Sequence, residues 1–309
     1  MKGDFIRAAG ADNNILSKLE ESGRKKGVPP RFLEFYRRLL GIQSDARLRV
    51  GIARLGLSRE AVTNRLTCGV PLLRFENLSL DWSLLWDVFE QVTTLCTDYP
   101  EVLGKVPENP RDLDSCLAYL KEATEAWFEE GQLPPQISLG GLKGAILGFI
   151  IQAALRPFLL NHCQALLGLV NQELWRRGYC PICGGSPDFA FMDKESGARW
   201  LLCSRCDAQW LFQRLECPYC STREPETLSY FTDDEGLYRL YVCEQCRHYL
   251  KAIDLRRAKY EVLLPLERFL TLDLDIQAHK DGYTPGVKAR QGEEMRGQCG
   301  ATLLTKEES

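Results

Sequence analysis

The stretch that decides the fold runs from residue 180 to residue 246 and contains four Cys-x-x-Cys knuckles, Cys180-Pro-Ile-Cys183, Cys203-Ser-Arg-Cys206, Cys217-Pro-Tyr-Cys220 and Cys243-Glu-Gln-Cys246. One such knuckle can direct two thiolates at one ion, and two knuckles complete the four-sulfur set that a tetrahedral metal needs. Four knuckles within 67 residues therefore predict two metal sites.

The spacing of the knuckles indicates which of them share an ion. Gaps of 19, 10 and 22 residues separate them in order, and a strand hairpin of roughly 15–20 residues can bring two knuckles together. We therefore expect one site of Cys180, Cys183, Cys203 and Cys206, and a second site of Cys217, Cys220, Cys243 and Cys246. A crossed arrangement, in which alternate knuckles share an ion, stays open at this point.

The residue types leave the metal and its role open. Four thiolates suit Zn(II) and equally a single iron in a rubredoxin-like site. Closed four-cysteine sites have no free coordination position for water or substrate, which is typical of structural metals. A thiol or iron redox protein is the alternative, because Cys-x-x-Cys pairs can also cycle between dithiol and disulfide.

The rest of the chain divides around this stretch. Apolar residues recur at helical spacing before it, as in 81–96 and 110–131, whereas short, aromatic-rich, alternating segments within it are typical of strands. We predict an α+β protein with an N-terminal all-α helical bundle, tandem rubredoxin-like (zinc-ribbon-like) four-cysteine modules and a C-terminal helix. The predicted units are a helical domain 1–176, ribbon modules 177–212 and 213–260, a C-terminal helix 261–281 and a flexible tail 282–309.

The charge balance argues against nucleic acid as a partner. The 309 residues include 39 Lys and Arg against 42 Asp and Glu, and region 171–260 holds 13 of each sign. Each four-thiolate site with a divalent ion adds a charge of about −2. The ribbon region therefore has the wrong sign for a phosphate-binding surface, and a nucleic-acid module is only a minor alternative.

Catalytic patterns are scarce in this sequence. It contains no glycine-rich nucleotide motif, phosphate loop or nucleophile elbow. Its three histidines, His162, His248 and His279, stand far apart, and Asp273 and Asp275 diverge on a helix because they are two residues apart. We expect no catalytic residues, no further cofactor and no enzyme activity.

The apolar segments are too short to indicate a membrane protein. The uncharged runs 144–155 and 157–172 fall below the ~20 residues that a spanning helix needs, and residues 1–14 lack the apolar core of a signal peptide. We therefore expect no membrane insertion and a cytoplasmic location in which thiols stay reduced.

The knuckles resemble, in order, those of the formate dehydrogenase accessory protein FdhE family. The resemblance lies in segments 180–187, 202–210, 215–220, 243–251 and 272–283. It implies a bacterial cytoplasmic maturation factor that is needed for active respiratory formate dehydrogenase without being a subunit of it. It also implies contact with the molybdenum- or tungsten-containing catalytic subunit, and an association of the eight cysteines with iron.

Overall fold

The computed structural model describes residues 27–51, 55–104, 106, 113–139 and 141–286, together with residues 15, 18, 19 and 23. The α-helices are α1 Pro30–Arg49, α2 Arg59–Cys68, α3 Trp82–Asp98, α4 Pro100–Leu103, α5 Leu113–Glu130, α6 Gly144–Leu166, α7 Leu264–Leu270 and α8 Leu272–Lys280. The strands are β1 Ser138–Leu139, β2 Leu142–Lys143, β3 Pro187–Met192, β4 Arg199–Cys203, β5 Gln209–Phe212, β6 Leu228–Thr232, β7 Tyr238–Cys243, β8 His248–Asp254 and β9 Thr284–Pro285. The α+β class with an N-terminal helical bundle is therefore confirmed.

Local signals account for the helix ends in the bundle. The side chain of Asp81 caps α3 by accepting a hydrogen bond of 3.0 Å from the backbone N–H of Leu84. At the end of α5, Gly131 adopts the left-handed conformation with φ of 81° that favours glycine. The apolar stretch 142–177 predicts one kinked helix or two, and in the structure it contains α6, which ends at Leu166, and a 3₁₀ turn that follows it.

Helix α6 forms the centre of the bundle. It packs against α1, α3 and α5, and it is apolar on nearly all sides, as a helix surrounded by others must be. Together with its following turn (Gly144–Leu169) it is long and apolar enough to span a membrane, but half of that window is buried inside the protein. Its one charged residue, Arg156, pairs with Asp207 at 2.5 Å. These contacts are those of a core helix.

The two cysteine-rich modules form one continuous sheet. The order of its strands is β5-β4-β3-β8-β7-β6, with β9 added on β8. Antiparallel hairpins build each half, and the parallel pairing of β3 with β8, from Phe189↔Lys251 to Met192↔Asp254, joins the halves. The predicted boundary at 212/213 falls in the link between β5 and β6, while the sheet itself runs across both modules.

The segment predicted as one C-terminal helix over 261–281 consists of two helices that meet at Thr271. The buried ammonium of Lys251 donates to the backbone oxygens of Arg268 at 2.8 Å and Thr271 at 3.4 Å. In a continuous helix these two carbonyl oxygens would accept hydrogen bonds from the backbone N–H groups four residues further along the chain. The ammonium of Lys251 takes the place of those N–H donors, so the helix can end and the chain can change direction at Thr271.

The predicted tail 282–309 begins inside the fold. Its first residues include β9, in which Thr284 pairs with His248 and Pro285 pairs with Tyr249. Residues 287–309 lie outside the described residues.

Candidate metal centres

The first cluster brings together the sulfurs of the first two knuckles. The Sγ atoms of Cys180 and Cys206 are 3.6 Å apart, and those of Cys183 and Cys203 are 3.5 Å apart. All four sulfurs lie within 4.8 Å of one another, and all four residues are buried. A metal with tetrahedral bonds of about 2.3 Å to sulfur separates its ligands by about 3.8 Å. The first cluster therefore has the size of a metal-thiolate site.

The second cluster repeats this arrangement with the third and fourth knuckles. The Sγ atoms of Cys217 and Cys246 are 3.7 Å apart, as are those of Cys220 and Cys243. These four sulfurs also lie within 4.8 Å of one another, but Cys220 and Cys246 are only half-buried. The second cluster is therefore the one closer to solvent, and the sulfurs are grouped in sequential rather than crossed order.

All four knuckles share one backbone conformation. The residue after the second cysteine has a positive φ in each: 73° at Gly184, 54° at Asp207, 62° at Ser221 and 58° at Arg247. In three of them its N–H donates to the carbonyl oxygen of the first cysteine, at 3.0, 3.0 and 2.8 Å. Only glycine adopts this conformation without a cost in free energy. The three knuckles with another residue at this position therefore have a strained backbone where the turn closes.

The closed turns point backbone N–H groups at sulfur. In the first knuckle, the amides of Ile182 and Cys183 lie 3.4 and 3.5 Å from the Sγ of Cys180. In the second, the amide of Arg205 lies 3.4 Å from the Sγ of Cys203. Such donors stabilise a thiolate over a thiol. The backbone is therefore arranged for charged sulfur ligands.

The chemistry of the donor set fits a soft metal ion. Burial raises the pKa of Cys180 well above its usual value, so the amide donors alone do not keep this sulfur a thiolate. At Cys206 burial acts in the same direction, but hydrogen bonds from Cys163, Cys180 and Cys183 outweigh it and lower the pKa to about 7. A bound cation deprotonates its thiol ligands outright. Each cluster can hold one Zn(II) or iron ion, which would fix its two knuckles together.

A buried ion-pair chain connects the first cluster to both helical parts of the protein. Asp207, next to Cys206, lies 2.5 Å from Arg156 of α6 and 3.0 Å from Arg268 of α7. Burial opposes its ionisation, but the charges of the two arginines outweigh this and lower the pKa of Asp207. Arg268 also pairs with Asp188 of β3 at 3.1 Å. The second knuckle is therefore positioned from three sides.

Arg205, inside the second knuckle, binds the end of a bundle helix. Its guanidinium donates to the backbone oxygens of Phe128 at 2.9 Å and Trp127 at 3.3 Å, and its centre lies 4.4 Å from the ring of Trp127. The last carbonyls of a helix have no partners within it and attract cations. The metal module thus supplies the cap of α5.

Sequence reasoning missed the cysteine that lies against the first cluster. Cys163 of α6 is buried, and its proximity to Cys206 raises the pKa of its thiol well above the usual value. No spacing pattern signals this contact, because Cys163 belongs to a helix of the other domain. Elsewhere, Cys68 is disulfide-bonded, which differs from the expectation that the thiols are reduced.

The histidines lie apart from both sulfur clusters. His162 is 5% exposed, and its Nδ1 has no partner among the described residues. The Nδ1 of His248 lies 3.0 Å from the Oγ1 of Thr284, and His279 stacks edge-on to Tyr249. None of the three joins a group of potential metal ligands among the described residues.

The aspartates of α8 also have structural partners. The carboxylate of Asp275 accepts from Lys251 at 2.7 Å and from Tyr249 at 2.7 Å. Asp273 lies outside any group of potential metal ligands in the described parts of the chain. The two aspartates therefore form no paired-carboxylate site.

Comparison with known proteins places this arrangement in one family. Residues 179–214 match the family model "FdhE, central domain". The chain is 35% identical over 279 residues to an FdhE homologue of Aquifex aeolicus, covering 87% of this chain and 88% of that protein. It is 33% identical over 153 residues to an FdhE homologue of Pseudomonas aeruginosa, covering 43% of this chain and 48% of that protein.

A solved structure shows the same fold. The crystal structure of the FdhE protein from Pseudomonas aeruginosa matches with a TM-score of 0.55 at 22% identity, covering 90% of this chain and 93% of that chain. With a relative that is similar over nearly the whole length, this chain belongs to the FdhE family. The family resemblance of the knuckles is thereby confirmed.

Proposed function

We propose that the protein is an accessory factor for the assembly of active respiratory formate dehydrogenase. It would bind the catalytic subunit of that enzyme in the cytoplasm and carry out no catalysis of its own. The observation that carries the proposal is membership of the FdhE family over 87% of the chain. The closed form of both clusters supports a binding role, because four protein sulfurs leave no position for a substrate.

Two metal ions are part of this proposal. One ion, iron or zinc, would be held by Cys180, Cys183, Cys203 and Cys206, and the other by Cys217, Cys220, Cys243 and Cys246. The closed turns, the N–H donors and the sulfur separations of 3.5–3.7 Å support ligation by these eight residues. The ions would keep the knuckles rigid, and the surface presented to a partner would be fixed with them.

The test is capture of the catalytic subunit by the tagged full-length protein. We expect the subunit to be enriched with the wild type and lost with Cys217→Ser/Cys246→Ser, which removes two sulfurs of the more exposed cluster. Cys96→Ser is the matched control, because Cys96 is a buried thiol outside both clusters. No enrichment by the wild type, or equal enrichment by all three proteins, would contradict the proposal.

A further inference from the structure

A cleft of about 180 Å³ lies beside the second cluster, between the third knuckle and strands β4, β6, β7 and β8. Its charged lining consists of three arginines and one glutamate: Arg199, Arg214, Arg239 and Glu216. The carboxylate of Glu216 is already paired with Arg223 at 2.7 Å. Guanidinium groups therefore outnumber the available carboxylates in this lining.

Arg199 is the most unusual of these groups. It is 3% exposed, and its Nη2 donates to the backbone oxygens of Gln213 and Glu216, the latter at 2.6 Å. Its Nε is buried without an acceptor among the described residues, and none of their carboxylates pairs with it. A buried charged donor without a carboxylate partner is costly and requires an explanation.

Aromatic rings stand between the arginines. The guanidinium of Arg199 lies 5.4 Å from the ring of Tyr241, and that of Arg239 lies 5.1 Å from the ring of Tyr230. The two rings are 5.4 Å apart. Arg239 pairs with Asp254 through Nη2, but its Nε is also buried without an acceptor among the described residues. The wall thus alternates cationic donors with flat apolar faces.

The rim of the cleft adds exposed apolar surface. Leu215 and Tyr230, which line the cleft, are 73% and 52% exposed, and Phe231, next to Tyr230 in β6, is 54% exposed. Strand β6 is the last strand of the sheet, so its outer edge has no partner strand among the described residues. A ligand with an apolar body therefore has surface to contact outside the charged interior.

We propose that this cleft binds a carboxylate carried on an apolar or aromatic group. The carboxylate could come from a free small acid or from an acidic side chain of a polypeptide. Planar guanidinium groups match carboxylates in geometry, and the tyrosine faces suit the attached carbon skeleton. Cys217 and Cys243 also line the cleft, and as metal-bound thiolates they would offset the charge of the arginines. Binding therefore relies on short-range hydrogen bonds rather than on long-range attraction.

This proposal does not depend on the assembly role, and its test uses purified, metal-loaded full-length protein. Calorimetric titration with 3-phenylpropionate is compared with titration by the uncharged 3-phenylpropionamide. A parallel pair consists of an end-blocked peptide with a glutamate between two phenylalanines and the same peptide with glutamine. We expect at least one acid to bind at least about tenfold more tightly than its amide. Whichever acid binds identifies the source of the carboxylate.

Variants locate the site. Arg199→Gln should weaken binding of the acid at least about tenfold, and Arg214→Gln, at an exposed position that keeps the fold, should weaken it several-fold. Arg74→Gln removes a distant surface charge and should change nothing. The metal content of each variant shows whether the second cluster is intact. Equal binding of acid and amide, binding unaffected in both cleft variants, or no binding of any probe would overturn the proposal.

Discussion

At the residue scale, the knuckles require a left-handed backbone conformation at residues whose side chains disfavour it. A left-handed conformation costs roughly 1–2 kcal/mol for a residue that has a Cβ atom. Ser221 and Arg247 nevertheless adopt it, with φ of 62° and 58°. This cost is offset in part because the same conformation closes each knuckle, with the N–H of Ser221 donating to the oxygen of Cys217 and that of Arg247 to the oxygen of Cys243. At Arg247, an ion pair with Glu244 and a cation–π contact with the ring of Tyr283 offset part of the cost of this conformation.

Ser221→Gly should therefore stabilise the protein. Ser221 is exposed, and glycine would relieve its conformation, so we expect the free energy of unfolding to rise by about 0.5–1 kcal/mol. Urea denaturation of the metal-loaded protein measures this change. Ser229→Gly, the same substitution in the extended strand β6, is the control and should lower stability by a similar amount. A lower stability for Ser221→Gly would show that the turn is not strained.

The eight clustered sulfurs could be predicted because their information is local. A Cys-x-x-Cys turn places two sulfurs side by side whatever the rest of the fold does. The contact of Cys163 with Cys206 could not be predicted, because it depends on how α6 packs against the second knuckle. The same holds for Arg205, whose acceptors lie at the end of α5.

At the element scale, the contact between α5 and the second knuckle connects the bundle to the first cluster. Arg205→Ala would remove the guanidinium that binds the carbonyl oxygens of Phe128 and Trp127. We expect the free energy of unfolding to fall by about 2–3 kcal/mol, because buried helix-end carbonyls lose charged donors. Guanidinium denaturation followed by helical circular dichroism measures the loss.

Arg74→Ala is the matched control for that variant. Its side chain is 51% exposed and pairs with Glu76, whose side chain is 66% exposed. An exposed ion pair contributes little, so the change should stay below about 1 kcal/mol. Equal effects of the two substitutions would show that Arg205 does not link the domains.

The end of β8 provides a pH-dependent prediction. Asp254 is fully buried and lies 2.7 Å from Arg239 and 2.6 Å from Arg256. The hydrogen bond from Arg256 lowers its pKa below the usual 3.8. Since the folded-state pKa is the lower one, the carboxylate stabilises the fold fully above the unfolded-state pKa. This contribution disappears as the pH falls through the folded-state pKa.

Asp254→Asn should accordingly lower the free energy of unfolding by about 3 kcal/mol at neutral pH. The difference from the wild type should shrink as the pH falls below about 4. Urea denaturation over this pH range measures the difference. Asp98→Asn, which affects an exposed pair with Arg38, is the control. A difference that stays constant with pH would contradict the role of the Asp254 carboxylate.

The hairpins could be predicted from the sequence, but the strand pairing that joins them into one sheet could not. Alternating aromatic segments and the Gly236 turn predict β6, β7 and their connection. The parallel pairing of β3 with β8 joins residues that are about sixty positions apart, and no local pattern specifies it. The break at Thr271 escapes prediction for the same reason, because Lys251 of β8 takes up the helix carbonyls.

At the scale of the whole molecule, the two clusters occupy different positions. The first is enclosed between the bundle, the sheet and α7, and its four cysteines are buried. The second is partly open, with Cys220 and Cys246 half-buried beside the arginine-lined cleft. Since metal binding is coupled to folding in such modules, the first ion would hold the domains together. The second would maintain the surface around the cleft.

The measurement that tests this account most directly is the metal content of the purified protein and of Cys180→Ser/Cys206→Ser. We expect two ions per chain in the wild type, one in the double variant, and two in the control Cys96→Ser. The remaining ion should resist chelation as it does in the wild type, because the variant leaves all four sulfurs of the second cluster in place. Loss of both ions from the double variant, or a wild type without two ions, would contradict the two independent four-cysteine centres.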